Sequence, residues 1–262
     1  MPRKKETEET EETEEKPEEV KEESKSDKLA KLKAKAEKLA GKMKEEKVDL
    51  AKKVKPSEED ADKYTLAPIE DYLKSSIHLG TRAITPDMKP FVYKRRADSL
   101  AVFNTALLDE KIKEGGEYLA QFAPEQIVIV CKRESGQKAA ELFSKITGIR
   151  AFTKNYPAGI LTNPQLDTFM EKDLMLICDP WTDKSAFDDA RRIKIPVLAI
   201  CDTNNYTQGV SKIIPGNNKS AKSLGFILFL LAKIYSEKRK LKLEIPPLSE
   251  WVEGWDNLVP PK

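Results

Sequence analysis

A chain of 262 residues has room for one sizeable core plus extensions, since single cores stop growing at about 250 to 300 residues. The formal net charge of +2 conceals a charged fraction of 34%, so the placement of charge along the chain, and not its sum, decides whether an anionic partner is served. No apolar run reaches the roughly 18 to 20 residues of a bilayer span, and Lys, Glu and Thr stand where a signal peptide would be apolar, which sets aside membrane-spanning and secreted classes and leaves the expectation of a soluble, cytoplasmic protein.

In chain order, residues 1–27 are glutamate-rich and repetitive, with Glu-Glu-Thr at 8–10 and again at 11–13 and almost no apolar side chain before Val20. Such a segment cannot offset the entropy of ordering, and a disordered acidic tail is predicted. The sign then flips: Lys28 to Lys55 holds eleven lysines against Glu37, Glu45, Glu46 and Asp49. Leu29, Leu32, Ala36, Leu39 and Met43 recur at spacings of three and four, which puts them on one stripe and predicts a basic amphipathic helical extension over 28–63. That stripe suits either a solvated helix or one that docks on RNA or protein.

From about Tyr64 the composition becomes ordinary, and strand-length apolar runs alternate with stretches of helical period over 64–245. This alternation predicts a three-layer α/β fold of the flavodoxin or Rossmann kind, a parallel sheet flanked by helices. The strand candidates are Leu100 to Asn104, Ile127 to Cys131, Ala151 to Phe152, Leu174 to Cys178, Val197 to Cys201 and a short Ile213–Ile214. Their lack of polar alternation suits burial on both faces. Helical stretches fall at Leu108 to Phe122, Ser135 to Thr147, Lys184 to Arg192 and Ser220 to Glu237. The last is apolar nearly all round from Leu224 to Ala232, as a core helix would be. A proline-bounded tail over 246–262 carries Trp251 and Trp255, a pair that would suit a protein-interaction module.

Cys131, Cys178 and Cys201 are few, odd in number and without Cys-x-x-Cys spacing, so they read as buried, reduced thiols. His78 is the only histidine and cannot supply a zinc set alone. In open α/β sheets ligands sit at the carboxyl ends of the strands, where this chain places Lys132-Arg133, Asp179-Pro180 and Asp202-Thr203-Asn204. A nucleotide-dependent enzyme is therefore one reading, and Asp179 with Asp202 could form a carboxylate pair or hold Mg²⁺. Against it, there is no Gly-x-Gly-x-x-Gly, no Gly-x-x-x-x-Gly-Lys-Ser/Thr loop and no nucleophile elbow. No cofactor, metal or small-molecule substrate is expected.

Two segments point to RNA. Pro215 to Ser220 follows a short strand and opens the last helix, and with Lys219 and Lys222 it resembles a phosphate cradle, although an ordinary capped loop has the same composition. The stretch from Arg82 to Arg96 interleaves Arg82, Lys89, Lys94, Arg95 and Arg96 with Phe91 and Tyr93. Guanidinium groups fork onto phosphate and aromatic faces stack on unpaired bases, so this mixture suits RNA; a solvated loop with its aromatics plugging the core is the alternative.

Read in order, these segments resemble the small-subunit ribosomal protein family numbered two among the universal families, which includes the laminin-receptor precursor. Ser75-Ser76-Ile77-His78-Leu79-Gly80-Thr81 is similar to the family's opening motif. Met88-Lys89-Pro90-Phe91-Val92-Tyr93 with Arg96-Ala97-Asp98 is similar to its basic-aromatic stretch, and Gly159 to Pro164 to its Gly-x-Leu-Thr-Asn loop. Asp179-Pro180, Ile195-Pro196-Val197, Ala199 to Asn204 and Ile214 to Asn218 complete the series. Three departures stand out: Ala158 intervenes between Pro157 and Gly159, Trp181 stands where Arg commonly follows Asp-Pro, and Asp189 replaces a usual Glu. Only a short link runs from Pro164 to Lys172, and no long acidic extension follows the last motif, which favours the archaeal type. The resemblance implies a structural, non-enzymatic constituent of the small ribosomal subunit, with small-subunit rRNA and neighbouring ribosomal proteins as partners. The residues expected at RNA are Arg82, Lys89, Lys94, Arg95, Arg96, Phe91, Tyr93, Lys132, Arg133, Asn163, Lys219 and Lys222.

Overall fold

The computed structural model describes residues 66–241 and 243–255, all within the unit Glu58–Lys262. The acidic tail expected over 1–27 and the basic helical extension expected over 28–63 lie outside the described residues. The chain enters through helix α1 (Ile69–Lys74) and runs into strands β1 (Val92–Arg95) and β2 (Ala101–Phe103). Then follow α2 (Thr105–Leu119), β3 (Ile127–Val130), α3 (Glu134–Thr147), β4 (Arg150–Phe152), β5 (Leu174–Ile177), α4 (Lys184–Ile193), β6 (Val197–Cys201), β7 (Lys212–Pro215), α5 (Ala221–Arg239) and the short α6 (Leu248–Trp251).

Five of the strands form one parallel sheet in the order β4-β3-β5-β6-β7. Every residue of β3, β5 and β6 is buried, so both faces of the sheet are covered, as their unbroken apolar runs require. This is the expected three-layer α/β fold, with the strand order of flavodoxin-like proteins. Cys131 and Cys178 directly follow β3 and β5 and Cys201 ends β6, all three as fully buried free thiols. No described helix is long and apolar enough to cross a membrane.

Helix boundaries follow local chemistry. The Asn104 side chain accepts the Ala106 N–H at 3.1 Å and starts α2, earlier than its apolar period suggests. Gly148, at φ 74°, closes α3 in the left-handed conformation. Helix α5 is buried along its middle, where it packs on α2 and α3.

Two expectations need correction. The run Leu100 to Asn104 is not a strand of the parallel sheet: its core, β2, pairs antiparallel with β1 in a separate two-stranded ribbon, and β1 lies inside the basic-aromatic stretch expected to be loop. The Trp251 tail is not a displayed docking arm either. Trp251 is 2% exposed and meets Phe229 edge-on, and Trp255 stacks on Phe226. Gly225 permits this approach, since a Cβ there would stand 2.7 Å from the Trp251 carbonyl oxygen.

Candidate nucleic-acid interface

The hairpin is built outward from the core. Strand β2 is held on one side by β1 and on the other by residues 78–81: Gly80 N–H donates to Ala101 C=O at 2.9 Å, Ala101 N–H to Thr81 C=O at 3.0 Å and Phe103 N–H to His78 C=O at 2.8 Å. Strand β1 is thus the outer edge. Its register shifts between Val92 and Lys94, and a bulge of this kind bends the strand and breaks its two-residue period. Consequently Tyr93, Lys94 and Arg95 are all exposed, Tyr93 by 64%. A guanidinium N–H of Arg95 donates to the Arg82 carbonyl at 3.3 Å, which draws Arg82 to the same side. Lys94 lies 5.8 Å from the Tyr93 ring centroid, and Arg96 is 3.6 Å from Asp98. Among the described residues, no carboxylate pairs with Arg82, Lys89, Lys94 or Arg95.

The segment that leads into the hairpin is tied to the loop after β6. Thr81 N–H donates to Thr203 Oγ1 at 2.8 Å, Thr85 Oγ1 to the Asn205 carbonyl at 2.8 Å, and Thr207 N–H to Asp87 at 3.0 Å. Gly80 is needed here, because a Cβ would fall 2.5 Å from the Thr203 methyl.

At the strand ends, three buried aspartates organise the loops. Asp179 pairs with Arg133 and accepts from Thr182 Oγ1 at 2.8 Å, Trp181 N–H at 3.0 Å and Asn205 Nδ2 at 3.2 Å. Burial pushes its carboxyl upward, but the hydrogen bonds from Arg133, Thr182 and Trp181 outweigh it and hold the group below its ordinary range. Asp183 accepts the N–H groups of Lys132 at 2.9 Å and Asp179 at 3.3 Å; burial still pushes it up to about 7. Asp202 is raised by burial despite the Thr203 N–H and Lys219, whose ammonium stands 3.5 Å away. Asn205 lies between the outer two, donating to Asp179 and accepting the Asp202 N–H at 2.8 Å. Asp179 and Asp202 therefore each hold their own cation and are not a shared pair, and no group of metal-ligating side chains occurs among the described residues.

This geometry sorts the expected RNA contacts. Arg82, Lys89, Tyr93, Lys94, Arg95 and Arg96 gather on or beside the hairpin with exposed side chains, whereas Phe91 packs against the core. Arg133 is committed to Asp179 and Thr182, and Lys219 to Asp202 and Asn204. Lys132 is exposed and Lys222 half-buried. The expected cradle is filled by its own side chain, since Asn217 Oδ1 accepts the N–H groups of Lys219 at 3.0 Å and Ser220 at 3.3 Å. Asn163 lies in a turn after β4, where its Oδ1 accepts the Gln165 N–H at 3.1 Å. That turn is anchored on α4 by Gly159 N–H and Tyr156 Oη, which donate to the buried Asp189 at 2.9 and 3.2 Å. Two exposed aromatics escape the residue patterns altogether: Trp181, known from the sequence only as a departure from the family motif, and Tyr206. Their position in the loops after two buried strands, past Ile177 and past Cys201, was the available signal.

Comparison with known proteins gives a consistent result. Residues 165–237 match the model of the family described as ribosomal protein S2. The small ribosomal subunit protein uS2 of Nanoarchaeum equitans (strain Kin4-M) is 43% identical over 175 residues, 67% of this chain and 87% of that protein. The protein of the same description from Ignicoccus hospitalis is 40% identical over 193 residues, 71% of this chain and 91% of that protein.

Proposed function

The chain belongs to the ribosomal protein S2 family of the small subunit, a structural and non-enzymatic family, and from that premise we propose that it binds small-subunit rRNA chiefly through the β1–β2 hairpin. It works in the cytoplasmic ribosome, with neighbouring small-subunit proteins as further partners. In this reading 64–245 is the RNA-binding α/β domain, 1–27 and 28–63 are charged extensions, and 246–262 is the C-terminal tail.

The observation that carries the reading is the outward edge of β1, where Tyr93, Lys94 and Arg95 project together beside Arg82 and Arg96. Charged edge strands also serve to prevent pairing between sheets, so the excess of cations alone does not decide. What favours RNA is the fork geometry of arginine beside an exposed ring, which matches phosphate and base together. Lys89, Lys132, Lys219, Lys222 and Asn163 are further contacts in this reading. Arg133 acts by holding the Asp179 loop.

Replacing Arg95 and Arg96 by alanine tests this. Each neutralised phosphate contributes roughly 0.7 to 0.9 to the slope of log affinity against log salt for small-subunit rRNA, so the double variant should flatten that slope by about 1.5. Incorporation into subunits should fall, while melting stays within about 0.5 kcal/mol of wild type because both side chains are exposed. An unchanged slope with normal incorporation would make the hairpin a solvated edge.

A further inference from the structure

Trp181 and Tyr206 are 63% and 65% exposed, a large apolar surface to leave in water, and both line one cleft of about 280 Å³ at the carboxyl edge of the sheet. They come from different loops, after β5 and after β6, and the same buried carboxylate oxygen fixes both. Asp179 Oδ1 accepts the Trp181 N–H at 3.0 Å and the side chain of Asn205, which immediately precedes Tyr206, at 3.2 Å. The backbones that present the rings are thus set before any partner arrives, which lowers the ordering cost of binding.

The surroundings are cationic. Lys184 and Arg191 line the cleft, and Arg192 and Lys194 continue the exposed surface through the cavities that Arg191 shares. Asp188 opposes them in that lining, and Arg192 is itself 3.9 Å from the buried Asp189. Helix α4 begins here with Lys184, after the buried Asp183 at its N-cap. Arg191 is seated over the Phe187 ring at 5.7 Å.

We propose that the cleft between Trp181 and Tyr206 receives an unpaired nucleotide of rRNA, its base stacked against the aromatic rings and its flanking phosphates on Lys184 and Arg191. Protein interfaces also use Trp, Tyr and Arg at their centres, but they are depleted in lysine there; Lys184 and Arg191 against Asp188 around two rings fit a single strand of RNA better. The inference rests on the rRNA-binding reading above, yet uses a surface made by other strands than the hairpin.

The test uses the full chain with a short labelled oligoadenylate and an RNA duplex of the same length. The single strand should bind more tightly than the duplex and should quench tryptophan emission, because Trp181 is far more exposed than Trp251. Trp181→Ala and Tyr206→Ala should each weaken the single strand by about 5-fold to about 150-fold, the range for one base on one ring, with unchanged melting. Trp181→Phe should recover most of the affinity, whereas Trp181→Leu should not. Arg95→Ala with Arg96→Ala should leave the quenching in place, so failure of the hairpin reading and failure of this one give different results. Equal binding of duplex and single strand, full affinity in Trp181→Ala, or rescue by leucine would overturn the proposal. So would subunits carrying Trp181→Ala that lack a neighbouring protein while their rRNA protection is unchanged, since the cleft would then be a protein-docking site.

Discussion

Replacing Asp183 by asparagine removes a carboxyl group that the fold holds in its neutral form over much of the ordinary pH range. The side chain is 4% exposed, and its two oxygens accept the N–H groups of Lys132 and Asp179. Burial is the largest influence and raises the group; the two backbone donors offset it only in part, and the carboxyl is pushed up to about 7. In the unfolded chain an aspartate loses its proton near about 3.9. Between these values the native state binds the extra proton, so the free energy of unfolding falls as pH rises, and the stability present below the lower value is lost on passing the upper one. Three units of separation correspond to about 4 kcal/mol at 1.36 kcal/mol per unit.

His78 works in the opposite sense. Burial lowers its ring, the Tyr72 carbonyl opposes that, and the charge of Arg96 adds to it, so its contribution is present above the ordinary histidine value and lost as pH falls. It is common to both proteins and cancels in their difference. Urea unfolding of wild type and Asp183→Asn across that range, with equal m-values, should show the wild-type advantage shrinking by about 4 kcal/mol as pH rises. A difference that stays flat within about 1 kcal/mol would mean that Asp183 is ionised throughout, and the reasoning from burial would fail.

Removing the guanidinium with Arg133→Ala leaves Asp179 buried without its cation; the expected loss at neutral pH is about 3 to 5 kcal/mol by chemical denaturation, and it should shrink as pH falls and Asp179 takes up a proton. A loss below about 1 kcal/mol would show that Thr182, Trp181 and Asn205 suffice to hold the charge. Gly225→Ala drives a Cβ against the Trp251 backbone and the Val252 side chain, so it should cost about 1 to 3 kcal/mol and shift tryptophan emission to the red as the tail lifts; wild-type emission and stability would refute the packing.

The central strands were legible because double burial leaves no polar residue in Ile127 to Val130, Leu174 to Ile177 or Val197 to Cys201. Strand β1 was not, for the converse reason. It is an exposed edge with a bulge, so Val92 to Arg95 shows neither an apolar run nor a two-residue alternation, and the turn that follows places Ser99 at φ 67° without glycine or asparagine to announce it. The cations of the candidate interface were legible as residue types, but their commitments are tertiary. Arg133 meets Asp179 across 46 positions, and Lys219 reaches Asp202 from the next strand end. Trp181 and Tyr206 share a cleft only because β5 and β6 are neighbours in the sheet, and strand order is not written in the period of either segment.

The strand order also accounts for what the carboxyl ends do here. From β3 the chain moves outward to β4 and then returns past β3 to β5, so the crevice between β3 and β5 is the switch point where α/β enzymes hold their ligands. In this protein that crevice is closed by its own residues: Arg133 crosses from the end of β3 to Asp179 at the end of β5, and Thr182 and Asn205 complete the set. A side chain held by several buried partners has little freedom left, and the loops it joins inherit that rigidity. The place where related folds carry out chemistry thereby becomes a clamp. Its outer surface bears Trp181, Tyr206 and the cations of α4, the two rings carried on backbones that Asp179 holds in place.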